Sequence, residues 1–144
     1  MGNTDRLTLF GDIKVSEVMV HDPLYYTTPD EKISTTELLM LRKKIGGLPV
    51  VASENHKKII GIITQRDIRL ARFAMSLESP YTLVKDLMTP EPYTVTTENS
   101  IKEVLELMFH YKIARLPVVD DNQELIGLVL QQDILKKLLD HLNR

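Results

Sequence analysis

Gly61–Ile68 reads GIITQRDI and Gly127–Ile134 reads GLVLQQDI, and this recurrence decides how the chain is organised. In both stretches a glycine opens an apolar run, and an acid, Asp67 or Asp133, follows the run before the next apolar residue. The hydroxyl of Thr64 does not return, because Leu130 holds its place. An ending written twice directs the search to an internal repeat, which fixes the architecture before any single element is assigned.

Working outward, the repeat extends across most of the chain. VSEVMVHDPLYYTTPDEKI aligns with VKDLMTPEPYTVTTENSI, and LLMLRKKIGGLPVV with ELMFHYKIARLPVV. Ile33 pairs with Ile101, Ile45 with Ile113, and Pro49 with Pro117. The boundaries are an N-terminal extension 1–14, repeat 1 at 15–76, a linker 77–83, repeat 2 at 84–139 and a tail 140–144.

Each repeat reads as β-α-β-β-α. A short extended piece, Leu24–Thr27 or Tyr93–Thr96, ends in polar turn residues. A helix follows, from about Ile33 to Lys44 and from about Ile101 to Tyr111. In the second, Ile101, Val104, Leu105, Met108 and Phe109 keep the spacing of one buried face. Ser100 with Glu103 has the capping-box pattern. LPVV then forms a short buried strand, whose proline implies an entry or edge position. A second strand, Ile59–Ile63 or Leu125–Leu130, leads to a helix opening near Asp67 or Asp133, where an acid can accept from free N–H groups. The fold class is α/β. Two small units of this size need each other, so they are expected to pack sheet to sheet with pseudo-twofold symmetry and a cleft at the seam. Met19 and Met88, at matching positions, are expected at that seam, and Met40 and Met108 in the cores.

Composition narrows the function. The chain of 144 residues contains no cysteine, which excludes disulfides, thiolate metal sites and a cysteine nucleophile, and fits a cytoplasmic protein. A formal net charge of −2, with few aromatic residues, disfavours nucleic acid as a partner. No apolar run is long enough for a membrane span. The scattered histidines have no metal spacing, and no nucleophile stands with a base, so neither a metal site nor an enzyme is expected.

The motifs VMVHDPLYYTTPDEKI with LMTPEPYTVTTENSI, KIGGLPVV with KIARLPVV, and GIITQRDI with GLVLQQDI resemble those of the CBS domain pair, or Bateman module, over roughly Val15 to Leu138. The resemblance implies a regulatory module, commonly dimeric, that binds an adenine nucleotide (AMP, ADP or ATP) or S-adenosylmethionine in a cleft between repeats and reports it to a partner protein. It implies no required cofactor. The family's G-x-x-T-x-x-D pattern is met by Gly61, Thr64 and Asp67. Asp67 would take ribose hydroxyls, and Thr64 with the helix N–H groups would take phosphate. The base would lie against Ile45, Gly46, Gly47, Leu48 and Pro49, with Tyr26 and Thr27 opposite. In repeat 2, Leu130 offers phosphate nothing, Asp133 retains a ribose acceptor, and Arg115, standing where repeat 1 has Gly47, is a phosphate contact or else a solvated surface charge. The reading is thus one complete cleft near Asp67 and an altered one near Asp133. Capping alone is the plain alternative for Thr64, Asp67 and Asp133. A protein-interaction module with empty clefts is the alternative for the whole.

Overall fold

The computed structural model describes residues 3–75 and 81–143. Residues 77–80 of the expected linker lie outside the described residues. The elements in chain order are α1 (Asn3–Gly11), a 3-10 turn (Val15–Glu17), α2 (Ile33–Lys43), β1 (Gly47–Val51), β2 (Ile59–Thr64) and α3 (Gln65–Met75). These are followed by α4 (Val84–Leu87), β3 (Thr89–Pro90), α5 (Ile101–Tyr111), β4 (Arg115–Val119), β5 (Leu125–Leu130) and α6 (Gln131–Leu142). Helix α1, in the expected extension, is additional to the repeat pattern.

The chain divides into two compact units that cross the sequence repeats. A first unit gathers Tyr25–Pro92 and Asp121–Leu125; a second gathers the chain up to Leu24, Tyr93–Asp120 and the chain from Ile126 on. Each unit therefore takes its edge pairing from the opening segment of the other repeat, Thr89–Pro90 in the first unit and Val20 in the second.

In the first unit, β1 and β2 are antiparallel, with Gly47 opposite Thr64 and Pro49 opposite Ile62. Strand β3 completes the sheet, pairing Gly61 with Pro90 and Ile62 with Thr89. The extended piece expected at Leu24–Thr27 contracts to one parallel bridge, Thr27 to Val50, on the other side of β1. Strand β1 is the edge of the three-stranded sheet, as Pro49 implied, with only that single bridge beyond it. The Pro49 carbonyl accepts from Thr27 N–H at 3.0 Å. The N–H that proline lacks would point to that same side, where the ladder is one residue deep, so its loss costs little. Ile33, Met40, Leu48, Val50, Ile63 and Ile68 form the core, all 6% exposed or less. Such burial of apolar side chains is the main stabilising term.

The second unit repeats the scheme around β4 and β5. Val20 bridges Leu128 antiparallel, and Val95 bridges Val118 in parallel. Ile101, Val104, Met108, Leu116, Val118 and Val129 form its core, with Phe10 of α1 and Val15 added. The capping box forms as expected: Glu103 N–H donates to Ser100 Oγ at 3.1 Å, and Ser100 N–H to Glu103 Oε1 at 3.0 Å. The bond from Ser100 N–H, with one from Asn99 Nδ2, holds the Glu103 carboxyl below its usual range.

The glycine that opens each repeated stretch has a steric cause. A Cβ on Gly61 would lie 2.8 Å from Met88 Sδ and 3.0 Å from Thr89 O. A Cβ on Gly127 would lie 2.8 Å from Met19 Sδ and 3.2 Å from Val20 O. Met88 and Met19 thus do occupy matching places, each lying over the glycine of a central strand. A methionine tip can yield, but the carbonyl beside it belongs to the paired backbone and cannot move without loosening the edge strand. Gly61→Ala and Gly127→Ala are each expected to cost about 1–3 kcal/mol, as overpacking does. Urea unfolding of the two variants against wild type measures this.

Candidate functional site

Strand β2 hands directly to helix α3 at Thr64–Gln65. Thr64 N–H donates to Asp67 Oδ2 at 3.0 Å, and Asp67 N–H donates to Thr64 Oγ1 at 3.1 Å. The two side chains therefore cap the helix reciprocally, the arrangement that satisfies N–H groups a helix leaves over. The capping alternative is realised in this geometry. It commits one carboxylate oxygen, and Asp67 Oδ1 has no hydrogen bond among the described residues. Gln65 N–H donates to Gly46 O at 2.9 Å, tying the loop before β1 to the same junction. Because Gly47 lies directly across the ladder from Thr64, no side chain covers the hydroxyl from that strand.

Thr64, Asp67, Gly46 and Gly47 thus share one corner of the first unit. The other residues read as a base wall are placed differently. Ile45, Leu48 and Pro49 are buried, with Ile45 and Leu48 in the core cluster, so that stretch offers a ligand mainly backbone. Thr27 lies on the opposite side of β1 from Thr64; it too is buried, its hydroxyl 3.0 Å from that of Thr36. Tyr26 carries Lys57 over its ring, with Nζ 5.3 Å from the centroid. Tyr26 and Thr27 line an open cleft of about 430 Å³ with Thr36, Arg42 and Glu54, which neither Thr64 nor Asp67 lines.

The second unit has the corresponding junction, β5 into α6, with Gln131 N–H donating to Ala114 O at 2.9 Å. Arg115, half-buried, opens β4. Leu130 stands at the N-cap of α6 and makes no side-chain cap. Asp133 Oδ2 is buried there without a hydrogen bond. Burial pushes the Asp133 carboxyl above its usual range, and the charge of Lys136 opposes that. The missing hydroxyl was visible in the sequence, but the stranded oxygen it leaves was not drawn from it.

Two copies of one strand–helix corner, each reached by a backbone bond from the loop before an LPVV strand, carry the assignment. The chain belongs to the CBS domain family. The family model matches twice, at residues 15–73 and 84–140. Inosine-5'-monophosphate dehydrogenase of Korarchaeum cryptofilum is 36% identical over 130 residues, 90% of this chain and 25% of that protein. The Bacillus subtilis enzyme of the same name is 35% identical over 126 residues, 86% of this chain and 24% of its own length. This CBS pair therefore spans about a quarter of the length of these relatives. Among solved structures, CBSX2 in complex with AMP is 26% identical with a TM-score of 0.76, covering 91% of this chain and 98% of that one. The CBS domain pair of protein MJ0100, in complex with 5'-methylthioadenosine and S-adenosyl-L-methionine, is 26% identical with a TM-score of 0.77, covering 88% and 96%. An acetoin utilization protein of Vibrio cholerae is 27% identical with a TM-score of 0.79, covering 91% and 93%.

The CBS corner of the second unit makes a pH prediction. An acid whose folded pKa is raised favours the folded state while protonated, and that advantage is lost as pH rises through the folded pKa. Asp133→Asn is expected to be more stable than wild type near neutral pH, with the difference closing once pH falls below the ordinary aspartate range. Urea melts of both proteins across that range give the comparison.

Proposed function

We propose that this CBS pair is a regulatory module that binds an adenine nucleotide, AMP, ADP or ATP, at the Thr64–Asp67 corner and signals its presence to a partner protein. It carries out no reaction of its own, works in the cytoplasm, and associates with a second copy. The observation that carries the reading is the capped carboxylate of Asp67, with one oxygen fixed by Thr64 N–H and the other without a hydrogen bond among the described residues. A ribose presents two adjacent hydroxyls, and a carboxylate already held in place accepts from them with little ordering cost. The Thr64 hydroxyl and the first N–H groups of α3 offer a phosphate its donors. Support also comes from the relatives, since AMP, 5'-methylthioadenosine and S-adenosylmethionine, bound in CBSX2 and MJ0100, share the adenosine group. Among the described residues no helix is long and apolar enough to cross a membrane.

Signalling requires that the nucleotide bind one conformation of the module more tightly than another, since equal affinity shifts no population. The second reading, an interaction module without nucleotide, draws on the second unit, where Leu130 leaves Asp133 uncapped.

Titration calorimetry with AMP, ADP, ATP and S-adenosylmethionine separates the two. The adenine nucleotides are expected to bind wild type and Asp133→Asn, and to bind Asp67→Asn at least about tenfold more weakly, the scale of one charge-assisted hydrogen bond. A nucleotide present at about a hundredfold over its dissociation constant adds roughly 2.7 kcal/mol of stability. Heat of binding from none of the four, with no rise in melting temperature, favours the interaction module.

A further inference from the structure

In each unit a thioether lies over the glycine of a central strand, Met88 over Gly61 and Met19 over Gly127. The sequence places the two alike, in VMV at 18–20 and LMT at 87–89. Each packs against the core of its own unit and stays half-buried. The other methionines whose side chains are described, Met40 and Met108, are 0% and 1% exposed. The chain has no cysteine, so thioethers are its only oxidisable sulfur.

A thioether suits this place while it stays apolar. It is soft enough to fill the space above a glycine, and it needs no hydrogen bond. Oxidation to the sulfoxide makes it polar. The point where a Cβ of Gly61 would stand is 2.8 Å from Met88 Sδ and 3.0 Å from Thr89 O; at Gly127 the same point is 2.8 Å from Met19 Sδ and 3.2 Å from Val20 O. A carbonyl oxygen therefore stands close to each sulfur. An oxygen added on the buried side of the sulfur meets that acceptor or the apolar core, and neither donates to it. An oxygen turned to water draws the side chain outward and uncovers the glycine. Either way the edge pairing, only one or two residues long, loses the group laid over it.

We propose that Met19 and Met88 are a matched pair of oxidation sites through which a hydroperoxide loosens the edge pairing of both units. The sulfur lone pair attacks one peroxide oxygen. An S–O bond forms as the O–O bond breaks, and the leaving oxygen takes a proton to become water or an alcohol. The thioether is oxidised by two electrons and the peroxide is reduced by two. Methionine sulfoxide reductases reverse the change, one enzyme for each sulfoxide epimer. No nucleotide takes part.

Hydrogen peroxide treatment of the full chain, with mass mapping of each methionine, tests this. Met19 and Met88 are expected to gain one oxygen on the order of tenfold faster than Met40 and Met108, in keeping with their exposure. Oxidised wild type is expected to melt roughly 3 °C or more below the untreated protein. The amides of Val20 and Leu128, which bond to each other's carbonyls at 2.8 and 2.9 Å, are expected to exchange with deuterium faster. Met19→Leu combined with Met88→Leu keeps the volume and removes both sulfurs, so that variant is expected to fold and to hold its melting temperature in peroxide. The two reductases together are expected to return oxidised wild type to its starting melting temperature. Oxidation of Met40 and Met108 as fast as Met19 and Met88 overturns the proposal, and so does wild type that carries both sulfoxides and melts unchanged. These two results stand whether or not the double variant folds. An equal fall in melting temperature in the folded double variant assigns the effect to other methionines and overturns it too, as does a fall that persists after reduction.

Discussion

A carbonyl lying 3.0 Å from where a side chain would begin is the constraint on which both sheets depend. At Gly61 that carbonyl is Thr89 O, and at Gly127 the corresponding group is Val20 O, at 3.2 Å. The edge strand comes from a distant part of the sequence, and a methionine, Met88 or Met19, is laid over the gap. Any residue larger than glycine would press on the edge strand, and each edge strand is only one or two residues long. Short edges leave little exposed backbone to attract another chain, but they also have few hydrogen bonds to lose. The unit therefore relies on close approach where a longer strand would rely on length.

This explains which parts of the fold were legible in the sequence. The inner strands and long helices follow from periodicity and turn residues, so Ile101–Tyr111 and Leu125–Leu130 fall where the pattern put them. Ser100 with Glu103 is a local device and was readable as one. The composition of the units was not legible, because no periodicity tells Thr89 that its neighbour is Ile62. Nor was α1, whose mixed sequence contributes a single buried side chain, Phe10, to the core. Pro49 was legible for a local reason: a proline reports one absent donor, and on this edge strand the single flanking bridge does not require it. Of the candidate site, the Thr64–Asp67 pairing was legible from spacing. LPVV reads as buried and is. That its burial turns the Leu48 side chain to the core, and that Thr27 is buried too, was not legible, because such a strand reads alike whether a side chain faces a ligand or the core.

The two strand–helix corners share a backbone plan and differ in one hydroxyl, and the consequences diverge. With Thr64 present, acid and hydroxyl satisfy each other's backbone and the helix starts with a fixed carboxylate. With Leu130, the acid turns an oxygen into a buried position where nothing meets it. A buried acceptor left unmet costs about 1–3 kcal/mol, and the raised pKa of Asp133 is the electrostatic face of the same penalty. The helix has lost a cap and kept the residue that made the cap costly to lose.

That asymmetry bears on what each corner can offer a ligand. At Asp67 the carboxylate is held before anything binds, so a polyol finds an acceptor already oriented. At Asp133 an incoming donor would meet an unsatisfied oxygen, and its first effect would be to relieve a penalty the protein already carries. Relief of that kind can add to affinity for any donor small enough to reach the oxygen, without selecting a nucleoside. A fixed acceptor beside a hydroxyl and a helix N-terminus is more discriminating, because it asks for a diol and an anion at a set separation. On the proposed reading, selectivity in this CBS pair therefore belongs to the corner that kept its threonine.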